Sequence, residues 1–446
     1  MTLLCLIAGL SLAADVDPDL LAAMRARAIG PAGMSGRVAA IAAVESDPNI
    51  IYVGAATGGL WKSVDGGMSW QPRFDEQSVA SIGAIAIDPR SADVVWVGTG
   101  EGNPRNSASV GNGMYKSLDG GRTWKQLGLA QSERIHRICL DPHDPEIAYV
   151  AALGPTWSDG TERGVFKTTD GGATWQRVLY VDQRTGCGDL VMDPTNPLKL
   201  FAAMWEHRRS PYSFQSGGPG SGLYVTRDGG KSWQQITARD GLPAGELGRM
   251  GLAIAPSNPN VVYALIEAAQ NALVRSDDGG LSFHTVNAET NIALRPFYFA
   301  DLRIDPANPE RVYSLHFIVT VSNDGGRSFA PLMRAAIHPD HHAMWIHPRN
   351  PQSSSTATTA ASPSRRTAAR ASGSCAICRL RSSTTWRSTW TFRTTCTAAC
   401  RTTGRGAGRA RCGNRAGSAT TTGRRSASAT ASAPCRCRTT RSRVTR

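Results

Sequence analysis

The sequence predicts an all-β protein: a β-propeller of four-stranded blades in which six blades are recognisable, a seventh begins, and a disordered tail follows. Three observations lead to this prediction. An eight-residue turn pattern, Ser/Thr-x-Asp-Gly-Gly-x-Ser/Thr-Trp/Phe, occurs six times along the chain. A second turn pattern, built on Asp-Pro, alternates with the first. Short apolar runs lie before and after each turn, and strand-only repeats of this period indicate the blades of a propeller.

Each part of the first turn pattern has a physical role. A short carboxylate such as Asp65 can accept hydrogen bonds from the backbone N–H groups of its own turn. The Gly-Gly pair supplies the positive φ angles that a tight hairpin needs, and the closing aromatic residue begins the next strand with a large apolar surface. The six turn aspartates, spaced 54, 51, 58, 50 and 46 residues apart, are Asp65, Asp119, Asp170, Asp228, Asp278 and Asp324.

The second turn pattern separates two further strands in each repeat. It reads Asp193-Pro194-Thr195-Asn196-Pro197 in the fourth repeat, where the apolar run Leu190-Val191-Met192 precedes it. Each repeat is therefore predicted to hold four strands, A to D. The A–B turn (Asp-Pro) and the C–D turn (Asp-Gly-Gly) should project from one end of the propeller, the turn end. The B–C and D–A loops should project from the other, the loop end.

These motifs carry a family resemblance over roughly residues 30–351. The first pattern is the Asp-box, or bacterial neuraminidase repeat. Its combination with Asp-Pro-x-Asn-Pro resembles the propellers of sortilin-type sorting receptors and of bacterial relatives labelled glycosyl hydrolase, and it is also similar to the xyloglucanase-type propeller glycosidases. The resemblance implies a fold rather than an activity, because the Asp-box is a turn and not an active site.

The net charge of +14 belongs to the C-terminal part of the chain. Residues 352–446 contain 19 Arg and no Lys, Asp or Glu, which leaves −5 for residues 1–351. The repeat pattern stops at 351, and the following segment also lacks His, Tyr and Met. We interpret this Arg/Ser/Thr/Ala-rich tail as the product of a shifted reading frame, so the intact protein is expected to have further C-terminal blades.

The tail has two alternative interpretations. An Arg-rich disordered arm that binds nucleic acid would fit its charge. A zinc site would fit the roughly suitable spacing of its cysteines, which are Cys375, Cys378, Cys396 and Cys400. The nucleic-acid arm does not explain why a repeat ends in mid-blade, and a segment so poor in apolar residues disfavours the zinc site. No nucleic-acid partner is expected for the propeller itself.

Residues 1–14 are predicted to be a signal peptide. The apolar run from Leu3 to Ala13 has the length of a signal-peptide core and is too short to span a bilayer. A buried N-terminal strand or helix is the alternative. Secretion or export to the periplasm is the predicted outcome, and no stretch is predicted to be a transmembrane helix.

The variable B–C loops are the predicted ligand-binding rim, because binding residues commonly lie on loops carried by a rigid scaffold. They gather carboxylates, guanidinium groups and aromatic rings that suit a peptide or a carbohydrate, although each residue alone could be an ordinary solvated loop residue. The candidates are Glu101, Asn103, Arg105, Asn106, Trp157, Glu206, Arg208, Arg209 and Tyr212.

Three charged residues occupy equivalent positions in the A strands that should line the central channel: Arg137, Asp189 and Asp301. Buried charges are costly unless they are paired or solvated. We expect a structural polar network with channel water, and ligand binding is the alternative.

A histidine-rich segment enters the seventh A strand and could offer metal ligands: His338, Asp340, His341 and His342. Adjacent strand residues such as His341 and His342 point to opposite faces, so they cannot readily share one ion. Neither a metal nor another cofactor is therefore expected.

Three classes of function remain open. The first is a sortilin-like propeller that binds a peptide or a glycan without chemistry. The second is a glycoside hydrolase, which needs two carboxylates across a cleft, and the candidates are Glu101, Glu206, Asp189 and Asp301. The third is an assembly factor for a membrane complex, on fold analogy alone. Six blades with a lone seventh A strand are also expected to leave an open ring with an exposed edge, and hence a poorly stable chain.

Overall fold

The computed structural model describes residues 37–104, 108–298, 300–332, 340–349 and 354–358. Apart from residues 354–358, the predicted tail lies outside these residues, and so do the predicted signal peptide (1–14) and the tail cysteines. The secreted or periplasmic location therefore stays a prediction.

The described residues form seven antiparallel sheets, one for each blade. Blades one to three contain β1 (Val38–Ala43), β2 (Ile51–Ala55), β3 (Gly59–Ser63), β4 (Gln71–Pro72), β5 (Ile82–Asp88), β6 (Ser91–Thr99), β7 (Met114–Ser117), β8 (Lys125–Gln126), β9 (Ile135–Leu140), β10 (Ala148–Ala152), β11 (Gly164–Thr168) and β12 (Gln176–Leu179). Blades four and five contain β13 (Thr185–Asp193), β14 (Asn196–Arg209), β15 (Phe214–Ser216), β16 (Gly222–Thr226), β17 (Gln234–Ile236), β18 (Met250–Ile254), β19 (Val262–Ile266), β20 (Ala272–Ser276) and β21 (His284–Asn287). Blades six and seven contain β22 (Asp301–Asp305), β23 (Asn308–Leu315), β24 (Val319–Ser322), β25 (Ala330–Pro331), β26 (His341–Ile346) and β27 (Ser354–Thr358).

The order of strands in each complete blade is A-B-C-D, as predicted. Blade four has a fifth strand, β15, which pairs with the long β14. In the described part of the chain there is no α-helix, and single 3-10 turns occur at Ala130–Ser132, Ala238–Asp240 and Thr290–Ile292. The predicted all-β propeller of four-stranded blades is confirmed.

The seven innermost strands form a closed ring. Each inner strand contacts the inner strand of the next blade, and β26 of blade seven contacts β1 of blade one. The expectation of an open ring is therefore wrong for this inner layer. The reason is that the seventh A strand alone is enough to bridge blades six and one.

Blade seven also has a second strand that lies within the segment assigned to the tail. β27 pairs antiparallel with β26, with Ala343 opposite Ala357 and Ile346 opposite Ser354. Backbone hydrogen bonds do not depend on side-chain type, and threonine favours the extended conformation. A Ser/Thr/Ala segment can therefore take the position of the B strand.

All six Asp-box turns have the same hydrogen bonds. In blade one, Ser63 Oγ accepts from the Gly67 backbone N–H at 2.8 Å and donates to Asp65 Oδ1 at 2.7 Å. The Ser69 hydroxyl donates to Asp65 Oδ2 at 2.6 Å. The two glycines have φ values of 71° and 91°. The predicted roles of the carboxylate and of the Gly-Gly pair are thus both met.

The apolar core lies between neighbouring blades. Hydrogen bonds beside this core also join one blade to the next. Trp124 of blade two donates through Nε1 to the Arg73 carbonyl of blade one at 2.6 Å. Lys62 of blade one donates through Nζ to the Gly120 carbonyl in the Asp-box of blade two at 2.9 Å. Trp175 of blade three donates to the Leu127 carbonyl of blade two at 2.7 Å. The Asp-box therefore joins each of these blades to the blade before it.

A search of the described residues for a helix long and apolar enough to cross a bilayer finds none.

Candidate functional site

Three charged residues of the inner strands meet in the central channel. Arg137 of β9 donates through Nε to Asp189 Oδ1 of β13 at 2.8 Å, and through Nη2 to Asp301 Oδ1 of β22. Asp189 Oδ2 also accepts from the Leu252 backbone N–H of β18 at 2.9 Å. The three predicted channel residues are therefore tied into one network that spans blades three to six.

Burial and neighbouring charges shift the pKa values of the two aspartates in opposite directions. Burial raises the pKa of Asp189, and the attraction of Arg137 offsets this only in part. Burial also acts to raise the pKa of Asp301. Arg137, Arg303 and Arg249 outweigh burial there and leave the Asp301 pKa below its usual value. An aspartate held ionised by three guanidinium groups suits a structural ion-pair network.

Arg249 occupies the loop end of the channel. Its Nη2 donates to Asn103 Oδ1 at 2.8 Å and contacts His136 Nε2 at 3.0 Å, while Nη1 donates to the Phe297 carbonyl at 3.0 Å. Burial, Arg137 and Arg249 together hold the pKa of His136 well below 6.5, so this imidazole is neutral at pH 7 and can accept from Arg249. Asn103, predicted for the rim, thus belongs to the mouth of the channel.

The two predicted rim carboxylates that could act as catalysts are already engaged. Glu101 is fully buried and forms two parallel hydrogen bonds with Arg37, one of them Nε to Oε1 at 2.6 Å. Glu206 accepts from the Gly220 backbone N–H at 3.0 Å, and Arg184 Nη1 lies 3.5 Å from its Oε1. Asp189 and Asp301 belong to the channel network. Each of the four catalytic candidates is therefore held by an arginine.

A separate polar pocket of about 350 Å3 opens at the loop end of blade three. Carboxylates, amides and hydroxyls surround it, and the lining residues are Gln131, Glu133, Pro155, Ser158, Asp159, Gly160, Thr161 and Gln183. The D–A loops on either side of blade three supply Gln131, Glu133 and Gln183, while the B–C loop of the blade supplies the rest. These groups could hydrogen-bond the hydroxyls of a sugar.

The B–C loops of blades three and four are joined beside this pocket. The Arg209 backbone N–H donates to the Thr156 carbonyl at 2.8 Å, and Arg208 forms an ion pair with Asp159 of the pocket wall. Trp157 follows Thr156 and is 44% exposed, and Tyr212 at the tip of the β14–β15 hairpin is 98% exposed. Four of the predicted rim residues, Trp157, Arg208, Arg209 and Tyr212, thus lie on two linked loops.

Glu133, Gln131 and Gln183 were not among the predicted residues, because they lie in D–A loops and the predicted rim was confined to the B–C loops at the same end. A backbone signal also marks Glu133, whose φ of 54° is unusual for a residue other than glycine. Positive φ angles at residues other than glycine are strained and cluster at functional sites. Arg134, the next residue, donates to Glu133 Oε2 at 2.8 Å.

The histidine-rich segment does not form a metal site in the part of the chain that is described. His341 and His342 are buried in β26, and the ring of His342 meets Tyr298 edge-on with 4.6 Å between ring centroids. Among the described residues, no group of three or more histidine, cysteine, aspartate or glutamate side chains is placed to hold a metal ion. Three candidates, Arg105, Asn106 and His338, lie outside the described residues.

Comparison with known proteins supports this fold and its relationships. A family model described as Sortilin-Vps10 (sortilin, neurotensin receptor 3) matches residues 112–241. The chain is 30% identical over 224 residues to a xyloglucanase of a Paenibacillus species, which covers 44% of this chain and 20% of that protein. It is 28% identical over 231 residues to a xyloglucanase of Hypocrea jecorina, covering 46% of this chain and 26% of the relative. The chain thus spans about a quarter or less of the length of these curated relatives.

Solved structures agree on the fold. The GH74 enzyme of Niastella koreensis matches 75% of this chain and 52% of its own, with a TM-score of 0.53 and 16% identity. YCF48 bound to the D1 peptide matches 74% of this chain and 92% of its own, with a TM-score of 0.50 and 15% identity. These structures confirm the predicted propeller fold. The family match and the similarity to the xyloglucanases support the predicted resemblance to sortilin-type Asp-box propellers and to glycosyl hydrolases.

Proposed function

We propose that this protein binds a glycan at the loop end of blades three and four, in the polar pocket beside Trp157. The pocket itself is the observation that carries the proposal. Carboxylate, amide and hydroxyl groups line its wall, and exposed aromatic rings stand on the two linked loops next to it. Sugar chains present both hydroxyl groups and apolar ring faces, so a site of this composition suits them. The similarity to xyloglucanases makes a β-linked glucan the first ligand to test.

Binding without catalysis is favoured over hydrolysis at the four carboxylates first considered. Glu101 is paired with Arg37, and Asp189 and Asp301 are paired with Arg137 inside the channel. These three carboxylates are buried and already bonded to arginines, so they are poorly placed to reach the glycosidic bond of a substrate. Those groups are better understood as parts of the scaffold.

Glycoside hydrolysis remains the second candidate function, at a different pair of residues. Glu133 and Asp159 both line the polar pocket. They too are paired with arginines, Arg134 and Arg208, but their side chains are 34% and 52% exposed, so a substrate can reach them. The xyloglucanase relatives support hydrolysis as much as binding. A peptide is the alternative ligand for the same surface, since one propeller of similar fold was solved with a peptide bound.

The first experiment is calorimetric titration of the whole chain with xyloglucan oligosaccharides. We expect Trp157→Ala to weaken binding about tenfold, because a stacked aromatic ring contributes roughly 0.5–1.5 kcal/mol beyond area burial. Leu118→Ala is the matched control, since Leu118 is 69% exposed on an Asp-box turn at the opposite end. Equal affinity of the wild type and Trp157→Ala, or no binding by the wild type, would contradict the proposal.

Release of reducing ends from the same oligosaccharides separates the two candidate functions. Binding alone predicts no release by the wild type. Hydrolysis at the pocket predicts release that is lost in both Glu133→Gln and Asp159→Asn. Release that survives both substitutions would place catalysis elsewhere in the chain.

A further inference from the structure

A second cavity, of about 400 Å3, opens at the turn end of the central channel. The inner strands and A–B turns of blades one, two and seven form most of its wall, and its volume lies within the range of small-molecule sites. Apolar side chains predominate, and the largest of them are Ile41, Ile85, Ile87, Leu140, Met344 and Trp345. This cavity is separate from the polar pocket of blade three.

Of the charged channel network, Arg303 lines the cavity, at its inner end. Arg137 makes the close contact with Asp301 and also pairs with Asp189 at 2.8 Å. Arg303 approaches Asp301 Oδ2 only to 3.7 Å, which is beyond hydrogen-bond distance. Arg303 therefore shares Asp301 with Arg137, which makes the closer contact.

The guanidinium of Arg303 keeps donors available toward the cavity. Its Nε donates to the Met344 carbonyl at 3.0 Å and its Nη1 to the Leu302 carbonyl at 2.6 Å. A guanidinium carries five N–H groups, and the Arg303 side chain is 30% exposed. Positive charge and unused donors thus lie together at the inner end of the cavity.

The other charged groups of the lining lie at its mouth. Arg90 is engaged by Asp88, with Nε to Oδ1 at 3.0 Å and Nη2 to Oδ2 at 2.8 Å. Glu45 is exposed. An occupant would therefore meet apolar side chains and backbone groups along the wall and, at the inner end, a cation that Asp301 compensates only in part.

We propose that this cavity binds a small apolar molecule carrying one anionic group, with the anionic group on Arg303 and the apolar part against Ile85 and Trp345. The proposal is independent of glycan binding, because the two sites share no residue and lie at opposite ends of the propeller.

The test is calorimetric titration of the whole chain with 1-naphthoate and with its neutral analogue 1-naphthylmethanol. We expect one naphthoate per chain, and affinity at least about tenfold higher than for the neutral analogue, because charge-assisted hydrogen bonds are roughly twice as strong as neutral ones. Arg303→Gln should remove this preference. Ala42→Leu, which adds bulk to the cavity wall without removing a polar group, should weaken both ligands. Leu118→Ala, on an outer turn, should bind as the wild type does.

Thermal melting establishes that each variant is folded before its affinity is compared. If Arg303→Gln melts early, Ala42→Leu and the naphthoate–naphthylmethanol ratio in the wild type still decide the question. The proposal is overturned if the wild type does not bind naphthoate, if it binds both ligands equally, or if folded Ala42→Leu binds both as tightly as the wild type.

Discussion

The hydroxyl group of the first residue of each Asp-box turn makes two hydrogen bonds at once, one as donor and one as acceptor. In blade two, the buried Ser117 Oγ accepts from the Gly121 backbone N–H at 2.8 Å and donates to Asp119 Oδ1 at 2.8 Å. The same bonds recur with Thr168 in blade three and Thr226 in blade four. Either residue supplies the hydroxyl that makes these bonds, which explains why both Ser and Thr occur at this position.

Replacing this hydroxyl is expected to destabilise the protein. Ser117→Ala leaves the Gly121 N–H buried without its acceptor, which costs about 1–3 kcal/mol in the free energy of unfolding. Ser117→Thr is the matched control, because threonine already serves in two other blades. Denaturant unfolding at pH 7 measures both variants. Equal stability of Ser117→Ala and the wild type would show that this bond contributes nothing to stability.

Among the structural elements, the Asp-box aromatic residues determine how one blade is joined to the next. Trp124 and Trp175 donate to carbonyls in the preceding blade at 2.6 and 2.7 Å. Trp70 of blade one bonds instead to the Gly67 carbonyl of its own turn at 3.1 Å. The indole N–H of Trp233 is buried without a hydrogen-bond partner among the described residues. The indole N–H at this repeat position therefore bonds to the preceding blade, bonds within its own turn, or has no partner among the described residues.

This difference predicts unequal effects of the same substitution. Trp124→Phe removes a bond between blades one and two, and we expect it to lower the free energy of unfolding by about 1 kcal/mol more than Trp233→Phe does. Trp233→Phe is the control, because it makes the same change in side chain but removes an unpaired donor. The comparison requires equilibrium unfolding of both variants, and a larger loss for Trp233→Phe would contradict it.

At the scale of the whole molecule, several histidines are buried in the neutral form. Burial, assisted by Arg163 and Arg134, lowers the pKa of His207 to about 3. Burial and Arg249 lower the pKa of His342 to about 3. An unfolded histidine has a pKa of about 6.5. The unfolded chain therefore binds protons at pH values where the folded chain does not.

Stability should consequently fall as the pH falls from about 6.5 toward 3. Each such histidine contributes stability that is fully present above its unfolded pKa, and the loss is at most about 1.4 kcal/mol for each pH unit. Burial acts to raise the pKa of the Asp-box carboxylate Asp65, but hydrogen bonds from Ser69 and Ser63 outweigh it and lower the pKa to about 2. Carboxylates of this kind add a further loss of stability only below about pH 4.

Unfolding free energies at pH 7 and pH 5 isolate the contribution of the histidines. We expect the free energy of unfolding of the wild type to be clearly lower at pH 5 than at pH 7, and the decrease to be smaller in His207→Phe. The substitution keeps an aromatic ring against Trp205, whose ring centroid lies 4.5 Å from that of His207. No loss between pH 7 and pH 5 would contradict the assignment of neutral buried histidines.

At the loop end, some residues of the candidate site were predictable from the sequence and others were not. The B–C loop residues Trp157 and Tyr212 were predictable, because a loop that varies between otherwise uniform repeats is conspicuous in sequence. The polar pocket was not, because Glu133 and Asp159 come from different loops, and the pairing of β9 with β10 in blade three brings those loops together. Glu101 and Glu206 lie in the predicted loops, yet their partners Arg37 and Arg184 are distant in sequence.

The blade is predictable from sequence alone, because the Asp-box and the Asp-Pro turn are local structures whose hydrogen bonds and positive φ angles lie within a few residues. The strand order, the number of complete blades and the two ends of the propeller follow from these turns. The folded structure was needed to show that β26 closes the inner ring, that Arg137 pairs with both Asp189 and Asp301, and that cavities open at both ends of the fold. Those features depend on contacts between residues far apart in the chain, which no local pattern encodes.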